Sequence, residues 1–454
     1  MNHLPDTSTT WRRGSRALTL ASLSLIAVIV VVLVIIWIRT DWAWSPVDDA
    51  GHVLALQSLM DRYGPLGGMV AYAAEMVNID RSWGLFRPSY WIYPSIFYLL
   101  PVGPAHLARL IMILVVIAGP LIHFRRSGIS GVRLWMAGLL LVASASSLYV
   151  GLFLVSLQEL SAMAFVSLGL LLPNRWARFA SWTIAAWFKA PFAWLLVGQA
   201  VADWRRGDRK LAAANALVGV GTLGLAVVMA RSGSYTARYG LDPFAIWSNL
   251  QRLIEPMNAL LLLSLLWWLV VTRSRLTWTN DTVALGIGWA GYTAQLLPWG
   301  VTAYYMGPIS FLFGLTMASM LHGGRVPIRT GLLALTVPAL AALILVVNPL
   351  SQGFAINGVM RTLQDCLVTR PGTSSVLQGS VLYVTTSEEG PIRLQQNLTL
   401  VDPSWGGSVQ LGAPDPEGLP PENDFLLNAG PPLDPPPTGT RLVCGNVWAQ
   451  VYGS

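Results

Sequence analysis

Ten apolar runs of roughly membrane-crossing length follow one another from near the start of the chain to about residue 348, and nothing else constrains the fold as much. They cover about residues 18–38, 105–124, 132–150, 152–172, 177–202, 211–230, 256–272, 282–300, 304–321 and 330–348. A hydrocarbon core about 30 Å thick is crossed by roughly 20 apolar residues in helical form. The expectation is an all-α polytopic membrane protein. Composition agrees, with 11% charged residues against about 25% in soluble chains. The formal net charge of +7 does not point to nucleic acid, because most of the Arg lies in short loops between apolar runs, the pattern that sets membrane topology.

Arg12, Arg13 and Arg16 precede the first run, which places the N-terminus in the cytoplasm. The run is long for a signal-peptide core and is not followed by a small-residue cleavage site, so it reads as an uncleaved span. Arg125, Arg126, Arg175 and Arg178 mark returns to the cytoplasm, with a tight outer turn at 149–151. As one long span, residues 177–202 would leave Arg205, Arg206, Arg209 and Lys210 outside. Two half-spans broken at Lys189, Ala190 and Pro191 keep both basic clusters inside, since Pro191 cannot donate the helical hydrogen bond. Counting the halves separately gives about eleven crossings and puts residues 349–454 outside.

That tail is rich in Pro, Gly and Thr, with β-like runs at 380–385 and 441–451. The expected organisation is a membrane module over 1–348, containing a first outer loop at 39–104, and a small, mostly β extracytoplasmic domain over 349–454. Cys366 and Cys444 lie near the two ends of the tail. In an oxidising compartment they are expected to pair, with roughly 4 kcal/mol of stabilisation on the chain-entropy account.

The candidate chemistry lies in the first outer loop and at three later points. Asp48 and Asp49, in SPVDDAGH, follow the first span where the chain meets the bilayer surface. The plainer reading is a helix cap; the functional one is a general base beside an orienting group. His52 lies close by, and residues 52–63 and 65–77 suit short helices on the membrane surface. Trp83, Phe86, Tyr90, Trp91, Tyr93, Phe97 and Tyr98 follow and suit stacking on sugars. Glu159, after Gln158, is expected about two turns inside the fourth span, where a carboxylate faces a cavity or a partner. Lys189, one of only two lysines, reads either as a partner of Glu159 or as a cation for a phosphate below the headgroups. Arg87 reads as a phosphate ligand or an interface anchor, and Tyr304 and Tyr305 as an outer aromatic end. No GxxxxGK[ST], GxGxxG, HExxH or CxxC motif is present.

Together these features resemble the GT-C superfamily of integral-membrane glycosyltransferases. An acidic pair after the first span (Asp48, Asp49) precedes a long outer loop with surface helices. A Lys-Pro-like break (Lys189, Ala190, Pro191) and a Tyr-rich outer end (Tyr304, Tyr305, Met306, Gly307, Pro308) come later. The resemblance covers about residues 18–321. The DDAGH run looks most like the arabinosyltransferase branch, with Ala50 and the intervening Ala190 as departures. The resemblance implies inverting transfer of a sugar from a polyprenyl-phosphate carrier to a glycan, glycolipid or protein of the cell envelope. Asp48 would act as base with Asp49 beside it; Lys189, Arg87, Tyr304 and Tyr305 would meet the donor phosphate. His52, Trp83, Gln158 and Glu159 would meet the sugar or acceptor. One acid pair without a third clear ligand argues against a resident divalent metal, and no other cofactor is implied. The expected location is a bacterial plasma membrane, with lipids as neighbours. The competing classes are a transporter or flippase of a lipid-linked or small substrate, and a non-catalytic assembly partner.

Overall fold

A computed structural model describes residues 31–40, 42, 49–234, 243–254, 256–298, 303–323 and 326–363; further on it describes 381–384, 394–396, 398, 408–412, 425–428, 436, 438–445 and 450–453. The chain is a helical membrane protein with a small C-terminal sheet. Of the first apolar run, residues 31–39 are described and form helix α1.

Helix α2 (Asp49–Trp83) is two helices joined at Gly64, whose φ of 74° and ψ of 169° only glycine adopts cheaply. Pro65 follows and supplies no N–H to continue the ladder. The break therefore falls where the sequence places it, but the second half continues to Trp83. Helix α3 (Pro88–Phe97) starts on a proline, which fits a first-turn position that needs no donor.

Helix α4 (Val102–Arg126) carries His123, Arg125 and Arg126 in its last turn, where cations favour the helix dipole. Helix α5 (Val132–Ser144) bends by 60° into a 3-10 segment, Ser146–Leu152. Helix α6 (Gln158–Leu171) begins six residues later than the apolar run suggests. Helix α7 (Arg175–Phe188) and helix α8 (Ala193–Arg205) are separated by the 3-10 turn Ala190–Phe192, with Lys189 extended at φ −155° and ψ 115°. The remaining helices are α9 (Arg209–Ser232), α10 (Pro243–Leu253), α11 (Pro256–Thr272), α12 (Asn280–Leu296), α13 (Ala303–Ser319), α14 (Ile328–Ala334) and α15 (Thr336–Leu363). Helix α15 runs past the expected end at 348, and its Phe354 ring packs 5.1 Å from Phe153.

By length and composition, three described helical stretches can cross a membrane, or five if each of two bent pairs is one span. The other expected crossings are helices of 13 to 17 residues (α6, α7, α8, α12, α13). These shorter helices fall below that length and are not among the three to five. Runs that read as single spans are cut by 3-10 turns and loops, and each cut shortens a helix. Packing is close where side chains are small: a Cβ at Gly198 on α8 would stand 2.4 Å from the Ala284 carbonyl oxygen on α12, the small-residue contact that holds helices together in lipid.

The C-terminal strands are β1 (Val381–Val384), β2 (Val409–Gly412), β3 (Phe425–Asn428), β4 (Arg441–Gly445) and β5 (Gln450–Gly453). They form one mixed sheet of order β2-β1-β3-β5-β4. Leu426, Leu427, Val451 and Tyr452 are buried. The run read at 441–451 is two antiparallel strands rather than one. Cys444 lies in β4, and Cys366 falls outside the described residues.

Candidate active site

The site is organised by a loop, residues 151–157, whose peptide groups are held by side chains from other elements. Asp49, the first residue of α2, is fully buried. Its carboxylate accepts hydrogen bonds from the backbone N–H of Val155 (3.0 Å) and Ser156 (2.8 Å) and from the Tyr98 hydroxyl (2.8 Å). Arg109 on α4, also fully buried, donates to the carbonyls of Gly151 (2.9 Å) and Leu157 (2.6 Å), to Ser161 Oγ (2.9 Å) and to the Tyr93 hydroxyl. Tyr93 donates to the Val155 carbonyl (3.0 Å), and His106 Nδ1 lies 2.6 Å from the Leu152 carbonyl. A loop inside a helix bundle is stable only if its peptide groups are satisfied, and here an anion takes N–H groups while a cation takes carbonyls. The loop delivers Gln158 and Glu159 to the first turn of α6.

Glu159 is therefore at a helix start, not two turns inside a span. It is buried and pairs with Lys189 from the break between α7 and α8. Lys189 Nζ also sits 3.6 Å from the centroid of the Tyr305 ring on α13, a cation–π contact. Arg87 feels both Glu159 and Lys189 electrostatically. Its guanidinium clasps Asp80, with Nε 3.1 Å from each carboxylate oxygen, and lies 4.6 Å from the Tyr90 ring centroid. Trp91 Nε1 donates to the same Asp80 (2.8 Å). Burial alone would lower the Arg87 pKa, but Asp80 outweighs it and the guanidinium is raised above its ordinary value.

His52 lies between aromatic rings. Nδ1 is in hydrogen-bond contact with the Tyr72 hydroxyl, Nε2 is 3.4 Å from the Tyr90 hydroxyl, and the Tyr98 ring stacks at 5.3 Å. Desolvation lowers its pKa from 6.5 to about 4, with Asp49 opposing and Arg87 assisting. Near neutral pH the imidazole is uncharged and can donate through one nitrogen while accepting at the other. Burial, with the Asp49 charge second, raises the Tyr98 phenol well above its usual value.

The structure thus brings Asp49, His52, Arg87, Glu159, Lys189 and Tyr305 to one end of the bundle. Asp48 lies outside the described residues, and of Tyr304 only the helical backbone is described. Trp83 stands 45% exposed at the end of α2. Gln158 Oε1 and Ser156 Oγ are buried with no hydrogen-bond partner among the described residues; such a group costs roughly 1–3 kcal/mol and calls for an explanation.

One expectation is corrected. Tyr90, Tyr93 and Tyr98 are 5–6% exposed and serve as core and hydrogen-bonding groups, not as open platforms for sugars. The spacing of 90, 93 and 97 on α3, which puts three rings on one helical face, was the signal. Sequence reading also missed Arg109, although a lone Arg within the apolar run at 105–124 is the kind of buried charge that has a purpose, and it missed Asp80, the partner of Arg87.

Among the described residues, no three His, Cys, Asp or Glu side chains converge where a metal could sit. A cavity of about 390 Å³ between α11, α12 and α13 is lined by groups such as Leu265, Ile287, Phe313 and Thr316. It carries no charged side chain, so it is not a place to hold a phosphate.

No family model matches the chain, and no curated protein matches it. Among solved structures, it is similar to the crystal structure of ArnT from Cupriavidus metallidurans bound to undecaprenyl phosphate. The identity is 13%, the coverage 95% of this chain and 97% of that one, and the TM-score 0.44. The overlap is loose.

Proposed function

We propose that the protein is an inverting glycosyltransferase of the GT-C kind, moving a sugar from a polyprenyl-phosphate carrier to an extracytoplasmic acceptor of the cell envelope. The observation that carries this reading is the convergence of Glu159, Lys189, Tyr305 and Arg87, far apart in sequence, at the end of the bundle where Asp49 anchors the loop.

The acidic pair divides its work. Asp49 is enclosed by three donors, which suits a positioning residue, and Asp48, immediately before it, is the base. Asp48 takes the proton of an acceptor hydroxyl while the hydroxyl oxygen bonds to the anomeric carbon. The bond from that carbon to the phosphate oxygen breaks, its electron pair leaves with the polyprenyl phosphate, and the anomeric configuration inverts. Lys189, Arg87, Tyr304 and Tyr305 face the leaving phosphate, whose developing charge they offset in a site of low dielectric. Lys189 exchanges part of its contact with Glu159 for the phosphate. Gln158, with its orphan amide oxygen, takes a hydroxyl of the sugar or acceptor, with Glu159, His52 and Trp83 around it. The expected topology puts this end outside, the N-terminus in the cytoplasm and the tail on the site's side. Residues 1–348 then form the catalytic module and 349–454 the extracytoplasmic domain, closed by a Cys366–Cys444 disulfide.

The test compares envelope glycans by mass spectrometry from cells carrying the wild type, Asp48→Asn, Asp49→Asn or no gene. Asp48→Asn should lower transfer on the order of 10²–10⁴-fold, the usual worth of a general base, with the protein still inserted and folded. Unchanged glycans in both Asp variants would end the enzyme reading. Lipid flipping by the purified protein, without new glycosidic bonds, would favour a flippase.

A further inference from the structure

The described part of the tail between β1 and β2 includes a short helical turn at residues 394–396 and 398. Leu394 and Leu398 are 2% and 1% exposed, whereas Gln395 and Gln396 between them are exposed. Two buried leucines four positions apart anchor the turn, and the two carboxamides point away from that anchor. Gln396 reaches α2. A Cβ at Gly51 would stand 3.1 Å from Gln396 Oε1, 3.5 Å from Cδ and 3.6 Å from Nε2, so the whole amide lies against a residue with no side chain. Gly51 is two positions after the buried Asp49 and one before His52. Gly51 therefore lies in the first turn of α2, the turn that begins at Asp49.

We infer that this turn is a wall of the active site and that the Gln396 carboxamide binds hydroxyl groups of the acceptor glycan. The inference rests on the transferase reading for the word acceptor and deepens it by naming the substrate class, a neutral carbohydrate. The carboxamide offers one accepting oxygen and two N–H donors, a set that suits neighbouring hydroxyls. It carries no charge, so it does not compete for the proton at Asp48 or for an anionic donor. Gln396 makes no hydrogen bond among the described residues, so its amide remains available to a ligand. Gly51 is then the residue that lets the tail approach: a larger side chain there would displace the amide.

The test uses the full chain in detergent micelles and saturation-transfer NMR, with methyl glycosides of arabinofuranose, mannopyranose and galactopyranose as probes. The wild type should saturate at least one glycoside, and Gln396→Ala should lose at least three-quarters of that signal. A short bis-maleimide should cross-link Gly51→Cys to Gln396→Cys within one chain whose native cysteines are replaced by Ser, and so reports the proximity without any ligand. The inference is overturned if the wild type saturates none of the probes, if Gln396→Ala matches the wild type, or if the cross-link does not form. Saturation without any glycosidic bond made by the wild type would sink the transferase reading alone. Transfer that depends on Asp48 but is indifferent to Gln396→Ala would sink the inference alone.

Discussion

Two polar clusters lie at opposite ends of the helix bundle and use charge differently. At the start of α12, Asp281 meets its partners directly: His123 Nε2 at 2.8 Å, Arg178 Nη1 at 3.0 Å and Arg206 Nη2 at 3.3 Å. Arg206 also reaches Asp203, 3.2 Å away. One acid thereby ties α4, α7, α8 and α12 together. At the other end, Asp49 and Arg109 act on the same loop through its peptide groups, one taking N–H donors and the other carbonyls. Ion pairs between side chains fix helix ends, which are already rigid. Charges that act through the backbone fix a loop, and a fixed loop can aim Gln158 and Glu159.

The sharpest way to break this contrast is Arg109→Met. It removes donors to Gly151, Leu157, Tyr93 and Ser161 together and leaves buried acceptors unpaired. Each buried acceptor left unpaired costs roughly 1–3 kcal/mol and several are left at once, so thermal unfolding in detergent should begin well below the wild type. A shift no larger than that of Arg206→Gln would show that the loop does not depend on its cation.

A smaller effect is expected from pH. His52 titrates near 4 in the folded protein against an ordinary 6.5, so between these values the unfolded chain binds more protons. The stability linked to His52 is complete above about pH 6.5 and declines as the pH falls toward 4, by roughly 3 kcal/mol at most. His52→Gln should flatten the pH dependence of the unfolding midpoint over that window. Parallel curves for variant and wild type would rule out His52 as the source.

Next comes Gly64→Ala. At φ 74° and ψ 169° a side chain adds about 1–3 kcal/mol of strain, read as a lower unfolding midpoint; no change would mean that α2 straightens instead. The smallest effect belongs to Arg206→Gln. Its side chain is 22% exposed, Arg178 and His123 still hold Asp281, and Gln199 and Asn215 still donate to the buried Asp203, so the loss should stay at about 1 kcal/mol. A loss comparable to Arg109→Met would erase the distinction between the two ends.

Much of this architecture was legible in the residues. The apolar runs located most helices, helical periodicity divided 52–63 from 65–77 at Gly64, the Lys189–Pro191 break was placed by proline's missing donor, and a β segment was visible at 380–385. The partnership of Glu159 with Lys189 was one of two readings open for that lysine, because two lone charges in apolar surroundings leave few other solutions. What could not be read was where the fourth run gives up its helix. Residues 152–157 are apolar enough to continue, and they stop because Asp49, Tyr93, His106 and Arg109 capture their peptide groups. Nothing local marks that. The rings of α3 were misjudged for the same reason, since an aromatic residue looks alike whether it faces a sugar or a neighbouring helix.

By itself the sequence settles that the chain is helical and apolar, where proline and glycine interrupt it, and which few charges must find company, because hydropathy, missing N–H donors and the cost of burying charge are properties of residues and their near neighbours. Which partners those charges find belongs to tertiary structure alone. Asp49 and Val155, or Lys189 and Tyr305, are separated by over a hundred residues, and only the packing of the helices decides which groups share an end.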